Sequence, residues 1–257
     1  MVTQNPLLER LASGGAIGSY WLELGSIAAA EVIAEARPDA IIFDTQHGLW
    51  DKLGLFSGIA AVRGRSQPVV RIADDSPTAI GEAYDLGAAG VIVPLVETAA
   101  QARSIVAAAK YPPLGRRSAG GVRPMLDFER YATEANRSLL LAVMIETSAG
   151  LKNAAAIAAQ PGIDLVFIGT GDLALSLGVF PRTGPKHERA VQSILAACRK
   201  AKTACGLYTS DMKAALERVG QGFQWVVVGN DRDSLQYGAK ADIARFARAR
   251  GEAKSRP

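Results

Sequence analysis

The sequence predicts a single (β/α)8 barrel, the TIM-barrel fold, and three observations lead to that prediction. Eight short apolar segments recur along the 257 residues. Most are nearly continuous in Val, Ile, Leu and Phe, which is typical of strands buried on both faces of a parallel sheet. Ala-rich segments with helical spacing separate them, and eight strand–helix units in about 250 residues is the usual size of this barrel.

The predicted strands are spread evenly along the chain, at residues 17–23, 40–44, 68–72, 90–95, 141–146, 165–169, 204–209 and 224–229. Helices are predicted between them, and the capping oxygens of residues 74–77 and of Ser210 and Asp211 mark helix starts. A doubly wound open sheet is the alternative. It usually has fewer strands, and no GxGxxG turn follows the first strand here.

The composition indicates one ordinary globular domain. No linker divides the chain, so residues 1–257 are predicted to form a single barrel domain with a frayed tail from about residue 249. Apolar residues make up 49% and charged residues 21%, as in most globular proteins. No apolar run approaches the ~20 residues of a membrane span. No signal-peptide pattern is found at the N-terminus, so the cytoplasm is the expected compartment.

The charge pattern favours a small-molecule partner. The net charge is +4, but Lys and Arg are spread along the whole chain and aromatic residues make up only 6%. A nucleic-acid binder would cluster basic and aromatic residues. The sequence therefore predicts neither a nucleic-acid nor a membrane partner. The two cysteines, Cys198 and Cys205, imply no disulfide framework.

Polar residues gather at the ends of several predicted strands, where the active site of such a barrel lies. Glu146 and Asp172 follow two neighbouring strands. Two carboxylates that converge on one rim repel each other unless a positive group lies between them. Mg²⁺ is often held by one or two carboxylates, with water and substrate oxygens completing its octahedron. The alternative is structural, with Asp172 capping a helix and Glu146 in a rim ion pair.

His47 and Asp44 end the second predicted strand, in a sequence with only 2 His. A carboxylate on one ring nitrogen would fix the tautomer and leave the other nitrogen free as a base. A histidine satisfied by the backbone of a turn is the alternative. His187, near a predicted helix start, is expected to face solvent.

Arg71 lies inside the apolar segment VVRI, although Arg is almost never buried unpaired. At the barrel mouth it would receive a carboxylate through two hydrogen bonds. A structural pair with Asp44 or Glu146 is the alternative. The long irregular segment 111–129 is expected to be a lid or binding loop. Its three arginines, Arg116, Arg117 and Arg123, are expected to be solvated; binding of an anionic substrate tail is the alternative.

Six segments together resemble the HpcH/HpaI family of class II pyruvate aldolases. They are FDTQHG, VVRI, GVIVPLVET, YPPLGRR, VMIETSAGLKN and PGIDLVFIGTGDLALSLG. They occur in the family's order, over about residues 7–246. The resemblance implies a (β/α)8 barrel, assembly as a homohexamer, and cleavage of 4-hydroxy-2-keto acids to pyruvate and an aldehyde. The reaction would pass through a pyruvate enolate, and aldol addition would be its reverse.

The resemblance also implies roles for individual residues. Glu146 and Asp172 correspond to the two carboxylates that bind a divalent metal cation, Mg²⁺, Mn²⁺ or Co²⁺, and no organic cofactor is implied. His47 corresponds to the catalytic histidine and Asp44 to the aspartate that supports it. Arg71 corresponds to the arginine that holds pyruvate and its enolate.

Further positions are implied to bind substrate. The turn of Gly169, Thr170 and Gly171, which leads to Asp172, corresponds to the segment whose backbone amides meet the pyruvate carboxylate. Many relatives have Pro-Ala where Thr170 and Gly171 stand.

Many relatives also have Glu where Gln46 stands. This difference is expected to affect which metal and which substrate are preferred more than the class of reaction. Trp21 and Tyr208 are expected to shape the aldehyde end of the site.

Two other chemistries are compatible with a barrel of this kind. A Schiff base on Lys also leads to an enolate, but none of the eight predicted strands contains a Lys. A lyase of the same superfamily acting on a citryl- or malyl-type thioester remains the alternative function. Such a lyase would need an additional segment to bind its cofactor, and 257 residues leave little room for one.

Overall fold

Eight parallel strands close into a barrel in which each strand pairs with its neighbours in sequence and the eighth pairs with the first. This computed structural model describes residues 5–250. The strands are β1 Ile17–Leu22, β2 Ala40–Asp44, β3 Gln67–Arg71, β4 Gly90–Val93, β5 Leu140–Ile145, β6 Leu165–Ile168, β7 Ala204–Leu207 and β8 Trp225–Asn230. The predicted fold is confirmed, and most of the predicted tail lies outside the described residues.

Helices connect the strands and surround the barrel. They are α1 Pro6–Ala12, α2 Ile27–Ala34, α3 Lys52–Val62, α4 Pro77–Asp85, α5 Ala99–Ala109, α6 Phe128–Ser138, α7 Ser148–Lys152, α8 Ala154–Ala158, α9 Thr170–Ser176, α10 Pro185–Ala201, α11 Met212–Gly220 and α12 Asp231–Ala249. Side-chain oxygens cap several of them, as predicted. Ser76 accepts from the N–H of Ala79, and Asp211 accepts from that of Ala214.

Six of the eight predicted strands, all except those at positions 2 and 8, run past the observed carboxyl ends. Beyond some of these ends the backbone leaves the sheet and bonds to a side chain of the site. The N–H of Leu95, for example, donates to Glu146 Oε1 at 2.8 Å instead of to a neighbouring strand. An apolar pattern cannot mark this point, because the residues just beyond the sheet are also buried.

The alternation of side chains along each strand divides the core into two layers. One layer fills the barrel interior and includes Trp21, Phe167 and Trp225. The other lies between the strands and the helices and includes Leu22 and Phe43. The inward series on β1 therefore runs through Ser19 and Trp21 toward the carboxyl end of the strand.

The segment 111–129 is more ordered than expected. A 3-10 turn, Pro124–Asp127, lies within it and leads into α6. The expectation that its arginines are solvated is wrong for Arg117, which is buried and lies over the rings of Tyr84, Tyr111 and Tyr131. Its Nη2 donates to Asp85 at 2.6 Å.

Arg123 is also held in place. It stacks on Phe56 and donates to the carbonyls of Phe56 and Leu86. Arg116 is exposed, as expected.

The last helix, α12, extends away from the barrel. Only its first residue, Asp231, is buried. Its large apolar side chains are exposed, namely Leu235, Tyr237, Ile243 and Phe246. No helix among the described residues is long and apolar enough to cross a membrane.

Candidate active site

A buried ion pair joins β2 to β3 at the carboxyl end of the barrel. Asp44 and Arg71 are opposite each other in the strand register. Arg71 Nε donates to Asp44 Oδ1 at 2.8 Å, and its Nη2 donates to Oδ2. The Asp44 side chain is fully buried, and only 8% of the Arg71 side chain is exposed. The structural pairing considered for Arg71 is therefore present.

Asp44 makes three further contacts. The indole N–H of Trp21 donates to its Oδ2 at 3.1 Å, and the backbone N–H groups of Gln46 and His47 donate to its Oδ1. Burial acts to raise the pKa of Asp44, but hydrogen bonds from Arg71 and Trp21 and the Arg71 charge outweigh it and hold the pKa below its ordinary value. Asp44 is therefore a carboxylate at neutral pH.

These contacts correct the expected relation between Asp44 and His47. Asp44 binds the backbone N–H of His47 at 3.2 Å, and none of its contacts is with the ring. Both carboxylate oxygens are already occupied by Arg71. His47 is exposed at the rim, and its ring has no hydrogen-bond partner among residues 5–250. Asp44 thus fixes the turn that carries His47 but not the tautomer of the imidazole.

Arg71 keeps hydrogen-bonding capacity after pairing with Asp44. Its Nη1 has no hydrogen-bond partner among the described residues, and its guanidinium lies 5.1 Å from the centre of the Trp21 ring. Its charge also lowers the pKa of Glu146, so the two groups lie within electrostatic range of each other. Arg71 can therefore be fixed by Asp44 and still donate to a ligand in the mouth.

Glu146 follows β5 and is almost fully buried, at 2% exposure. Its Oε1 accepts from Leu95, and its Oε2 has no hydrogen-bond partner among the described residues. The pKa of Glu146 is raised, mainly by burial and also by the negative charge of Asp172. The hydrogen bond from the Leu95 N–H and the charge of Arg71 act to lower it, but they do not outweigh burial. Glu146 is therefore a buried carboxylate that lacks a close cation.

Asp172 is exposed and lies in the first turn of α9, directly after β6. Gly169 caps this helix, and no side chain there bonds to the free N–H groups of the first turn. A Cβ at Gly169 would lie 2.2 Å from Glu146 Oε2, so only glycine lets this carboxylate approach the turn.

The free amides of the turn are shifted by one residue from the expected set. The N–H of Gly169 donates to Ile145 O at 3.3 Å and is already used. The N–H groups of Thr170, Gly171 and Asp172 have no partner inside α9, because the first groups of a helix lack one. These three amides, rather than that of Gly169, are available to an anionic ligand.

The carboxylates fit a hard divalent cation. No group of three or more His, Cys, Asp or Glu side chains suited to a metal ion occurs between residues 5 and 250. Glu146 and Asp172 offer hard oxygen donors, and Mg²⁺ needs only one or two of these beside water and substrate. The unpartnered Oε2 of buried Glu146 is the group that such an ion would neutralise.

The remaining predicted residues occupy different positions. Trp21 lies inside the barrel, with Phe167 at 6.0 Å and Tyr208 at 5.6 Å between ring centres. The hydroxyl of Tyr208 accepts from Asn230 at 3.0 Å. Gln46 is half-buried beside the rim turn, and its side-chain oxygen is buried without a hydrogen-bond partner.

His187 was expected to face solvent, but this prediction is wrong. It is 6% exposed, and its Nε2 lies 2.9 Å from the carbonyl oxygen of Thr170. It therefore supports the turn at the start of α9. Sequence reasoning missed the contact because His187 and Thr170 are on different helices, α10 and α9.

Sequence reasoning also missed Leu95. This residue has a positive φ of 56°, unusual outside glycine, and its N–H holds Glu146. Nothing in the segment VPLVET marks a left-handed residue.

A model of the HpcH/HpaI aldolase/citrate lyase family matches residues 19–236. The chain belongs to this family. The match covers all eight strands except the first two residues of β1, so the barrel and its carboxyl rim are both family features. The predicted resemblance is confirmed.

Curated relatives in the family are aldolases. The chain is 36% identical to a 4-hydroxy-2-oxovalerate aldolase of Rhodococcus jostii, over 95% of this chain and 96% of that protein. It is 34% identical to a 2-keto-3-deoxy-L-rhamnonate aldolase of Salmonella gallinarum, over 88% and 87% of the two chains. The HpcH/HpaI chain is therefore an enzyme, a carbon–carbon lyase of the aldolase type, as predicted.

A solved structure supports the same fold. An HpcH/HpaI aldolase/citrate lyase family protein of Burkholderia cenocepacia superposes with a TM-score of 0.90 at 30% identity, covering 95% of this chain and 99% of that one.

Proposed function

We propose that this HpcH/HpaI aldolase uses a divalent metal cation to cleave a 4-hydroxy-2-keto acid into pyruvate and an aldehyde, and that it catalyses the reverse addition. The observation that carries this proposal is the buried carboxylate of Glu146. Its Oε2 has no hydrogen-bond partner among the described residues and lies against Gly169, in the turn that leads to Asp172. The retro-aldol activity itself follows from the curated relatives.

Glu146 and Asp172 would hold the cation, which is Mg²⁺, Mn²⁺ or Co²⁺ in this proposal. When bound, such an ion supplies a Lewis acid for the oxygens of a 2-keto acid. Glu146 is pre-positioned for this role by the N–H of Leu95 and by the absence of a side chain at Gly169. Asp172 projects from the first turn of a neighbouring helix and is accessible.

Arg71 would bind the keto-acid oxygen on which negative charge develops. Its Nε and Nη2 are fixed by Asp44, and its Nη1 remains for substrate. A donor that is already oriented requires no reorganisation when charge develops, which is the basis of oxyanion stabilisation. Asp44 is in this view a positioning residue for Arg71.

The first turn of α9 would bind the substrate carboxylate. The free N–H groups of Thr170, Gly171 and Asp172 point out of the start of this helix. His187 holds the carbonyl of Thr170 and thereby restrains the turn. The predicted contribution of Gly169 is steric, because its amide is already bonded to Ile145.

His47 would transfer the proton of the 4-hydroxyl group. Its backbone is fixed by Asp44, and its ring is exposed with no competing partner in the described chain. Positioned acid–base groups typically contribute about 10²–10⁴-fold to a rate. With no carboxylate on the ring, the tautomer would be set by water or substrate.

The alternative is a lyase that acts on a citryl- or malyl-type thioester. The M. tuberculosis citrate lyase β subunit superposes with a TM-score of only 0.55, at 18% identity, and this likeness extends to the fold alone. Thioester turnover is the outcome that would favour this alternative over a free 2-keto acid.

We also propose that the protein is a homo-oligomer. The exposed apolar side chains of α12 support this, because a lone helix with such a surface is unstable in water. Light scattering on the purified chain tests it: an oligomer is expected in the parent and a smaller species after Tyr237→Lys. A monomeric parent at micromolar concentration would contradict it. The hexamer and the cytoplasmic location stay predictions.

The reaction is tested by a pyruvate-release assay over a panel of 4-hydroxy-2-keto acids, and the alternative by assaying citryl and malyl thioesters for their own cleavage products, oxaloacetate and glyoxylate. Release from keto acids is expected, with loss on chelation and recovery with Mg²⁺, Mn²⁺ or Co²⁺. Full turnover after exhaustive chelation, or inactivation by borohydride in the presence of pyruvate, would point to a Schiff base instead.

A further inference from the structure

The barrel mouth has a second polar wall, formed by β1, β7 and β8. The groups assigned above to the keto acid, Arg71, Glu146 and Asp172, come from β3, β5 and β6 or the turns that follow them. In the closed strand order, β7, β8 and β1 form a continuous arc between β6 and β2. This arc carries four polar residues to which no role has been given: Glu23, Asn230, Arg232 and Asp233.

Glu23 is the position that continues the inward series of β1. Ser19 and Trp21 lie inside the barrel, whereas Leu22 packs in the outer layer. Because side chains alternate along an extended chain, Glu23 follows Trp21 on the inner face at the mouth. The negative charge of Asp44 contributes to a raised pKa of Glu23, after burial, so the two carboxylates lie within electrostatic range.

The backbone on both sides of Glu23 is fixed. Its N–H donates to Asp231 Oδ1 at 2.9 Å, and its carbonyl accepts from Leu49 at 2.8 Å. Its Oε2 lies 3.0 Å from Arg232 Nη1, and 22% of its side chain is exposed. Its Oε1 has no hydrogen-bond partner among the described residues, which leaves an accessible acceptor on a rigid element.

Tyr208 supplies a hydroxyl donor on the same wall. Its hydroxyl oxygen accepts from Asn230, so the hydroxyl hydrogen remains available. Burial raises the pKa of Tyr208, and the negative charges of Glu23 and Asp233 add to this, so the hydroxyl keeps its proton. Its ring packs edge-on against Trp21, which fixes the hydroxyl at the mouth.

The charge of this wall is negative. It holds three carboxylates, Glu23, Asp231 and Asp233, and one guanidinium, that of Arg232; Glu23 and Asp233 contact the guanidinium, whereas Asp231 accepts from backbone N–H groups. The charge of Arg232 is offset by those of Glu23 and Asp233, each 3.0 Å away, so the wall carries a net negative charge. An anionic group on the substrate would therefore meet net repulsion here.

We propose that this wall binds the aldehyde half of the substrate, that this half is uncharged and carries a hydroxyl group, and that Glu23 determines the preference by accepting a hydrogen bond from that hydroxyl. The inference rests on the proposed function. An aldehyde without a hydroxyl would desolvate Glu23 and leave its Oε1 without a donor, and sites built for a substrate hydroxyl reject analogues that lack it. An anionic aldehyde would be repelled.

The test compares glycolaldehyde, acetaldehyde and succinic semialdehyde as acceptors for pyruvate. The first two differ by one hydroxyl group, and the third is anionic. Exchange of the pyruvate methyl protons in D₂O is measured first, because it needs no aldehyde and reports on the proposed function alone. Addition rates are then divided by the exchange rate of the same protein, so that general damage cancels.

In the parent, kcat/KM for glycolaldehyde is expected to exceed that for acetaldehyde by roughly 10-fold or more, the range for a hydrogen bond to a charged group. Glu23→Gln should lower this ratio by about 10-fold, and it should raise the relative rate with succinic semialdehyde several-fold. The matched control is Glu35→Gln. Glu35 pairs with Arg65 at 2.9 Å at the opposite end of the barrel, and its loss should leave both ratios unchanged.

The outcomes separate the two proposals. Absence of proton exchange in the metal-loaded parent would overturn the proposed function. Exchange with no preference for glycolaldehyde, with a preference for succinic semialdehyde, or with a ratio that Glu23→Gln does not alter would overturn the role of Glu23 and leave the proposed function standing.

Discussion

Replacing Asp44 with Asn separates two possible roles of this residue, as a partner of the His47 ring and as the anchor of Arg71. The variant keeps the size of the side chain but removes its charge. Arg71 Nε and Nη2 and the Trp21 indole all donate to this carboxylate, and an amide has only one oxygen to accept them. The guanidinium would then be buried beside an NH₂ group.

The loss of unfolding free energy in Asp44→Asn follows from the burial of the ion pair. Asp44 is fully buried and only 8% of the Arg71 side chain is exposed. Breaking a buried pair by removing one partner costs about 3–5 kcal/mol. The amide retains one acceptor, so we expect the lower end, about 3 kcal/mol of unfolding free energy. Because Arg71 also loses its orientation, we expect kcat for cleavage to fall by about 100-fold, the loss seen for an oxyanion donor.

Urea unfolding at pH 7.5 and steady-state cleavage kinetics measure the two effects. Asp39→Asn is the control, since Asp39 pairs with Arg10 at 3.1 Å on the surface, where exposed ion pairs are worth about 1 kcal/mol or less. An Asp44→Asn protein as stable as the parent would refute the energetic argument. A stable variant with a normal KM for the keto acid and an altered pH profile of kcat would indicate instead that Asp44 acts on the His47 ring.

The pH dependence of the unfolding free energy provides a second test of the role of Asp44, with the same Asp44→Asn variant. The pKa of Asp44 is lower in the folded protein than its ordinary value of 3.8. Its contribution is therefore complete above pH 3.8 and is lost as the pH falls through the folded value. Below about pH 3.8 the parent should lose its advantage over Asp44→Asn, and a gap that stays constant down to pH 2 would contradict this.

Three further predictions concern the other site residues. Arg71→Lys should lower kcat by about 100-fold, because an ammonium cannot keep the bidentate pair with Asp44 and also donate to substrate; a folded, metal-loaded variant with near-normal kcat would contradict it. Glu146→Gln should raise the melting temperature of the metal-free protein, because it removes a buried charge, and should abolish the stabilisation by Mn²⁺ in differential scanning fluorimetry; a variant still stabilised by Mn²⁺ would refute its role as a ligand. His47→Ala should lower cleavage by about 10²–10⁴-fold with unchanged Mn²⁺ affinity, and cleavage at the parent rate would reduce His47 to turn structure.

The barrel could be predicted from the sequence because each strand is buried on both faces. Such strands appear as uninterrupted apolar segments, and segments such as AIIFD and LLAVMI leave little ambiguity. The carboxyl ends of the strands were predicted less accurately than their positions along the chain. Glu146 and Tyr208 lie just beyond the sheet, where backbone groups turn toward side chains that are distant in sequence.

The residues of the site could be located, and the Asp44–Arg71 pair was among the alternatives, but the sequence could not decide between Arg71 and His47 as the partner of Asp44. Position in the barrel brings Asp44, Arg71, Glu146 and Asp172 to one rim, and this follows from strand order alone. Asp44 has both Arg71 and His47 within reach, and the choice depends on the strand register that sets Asp44 opposite Arg71. Spacing in sequence favoured His47, three residues away, whereas pairing across the sheet favours Arg71.

The most direct test of the central claim is exchange of the pyruvate methyl protons in D₂O, followed by NMR with no aldehyde present. The two carboxylates and Arg71 are proposed to stabilise the enolate form of pyruvate, so exchange should occur with Mg²⁺, Mn²⁺ or Co²⁺ and stop with EDTA. It should also be lost in Glu146→Gln. Exchange at the full rate after exhaustive chelation, or in Glu146→Gln, would contradict the account.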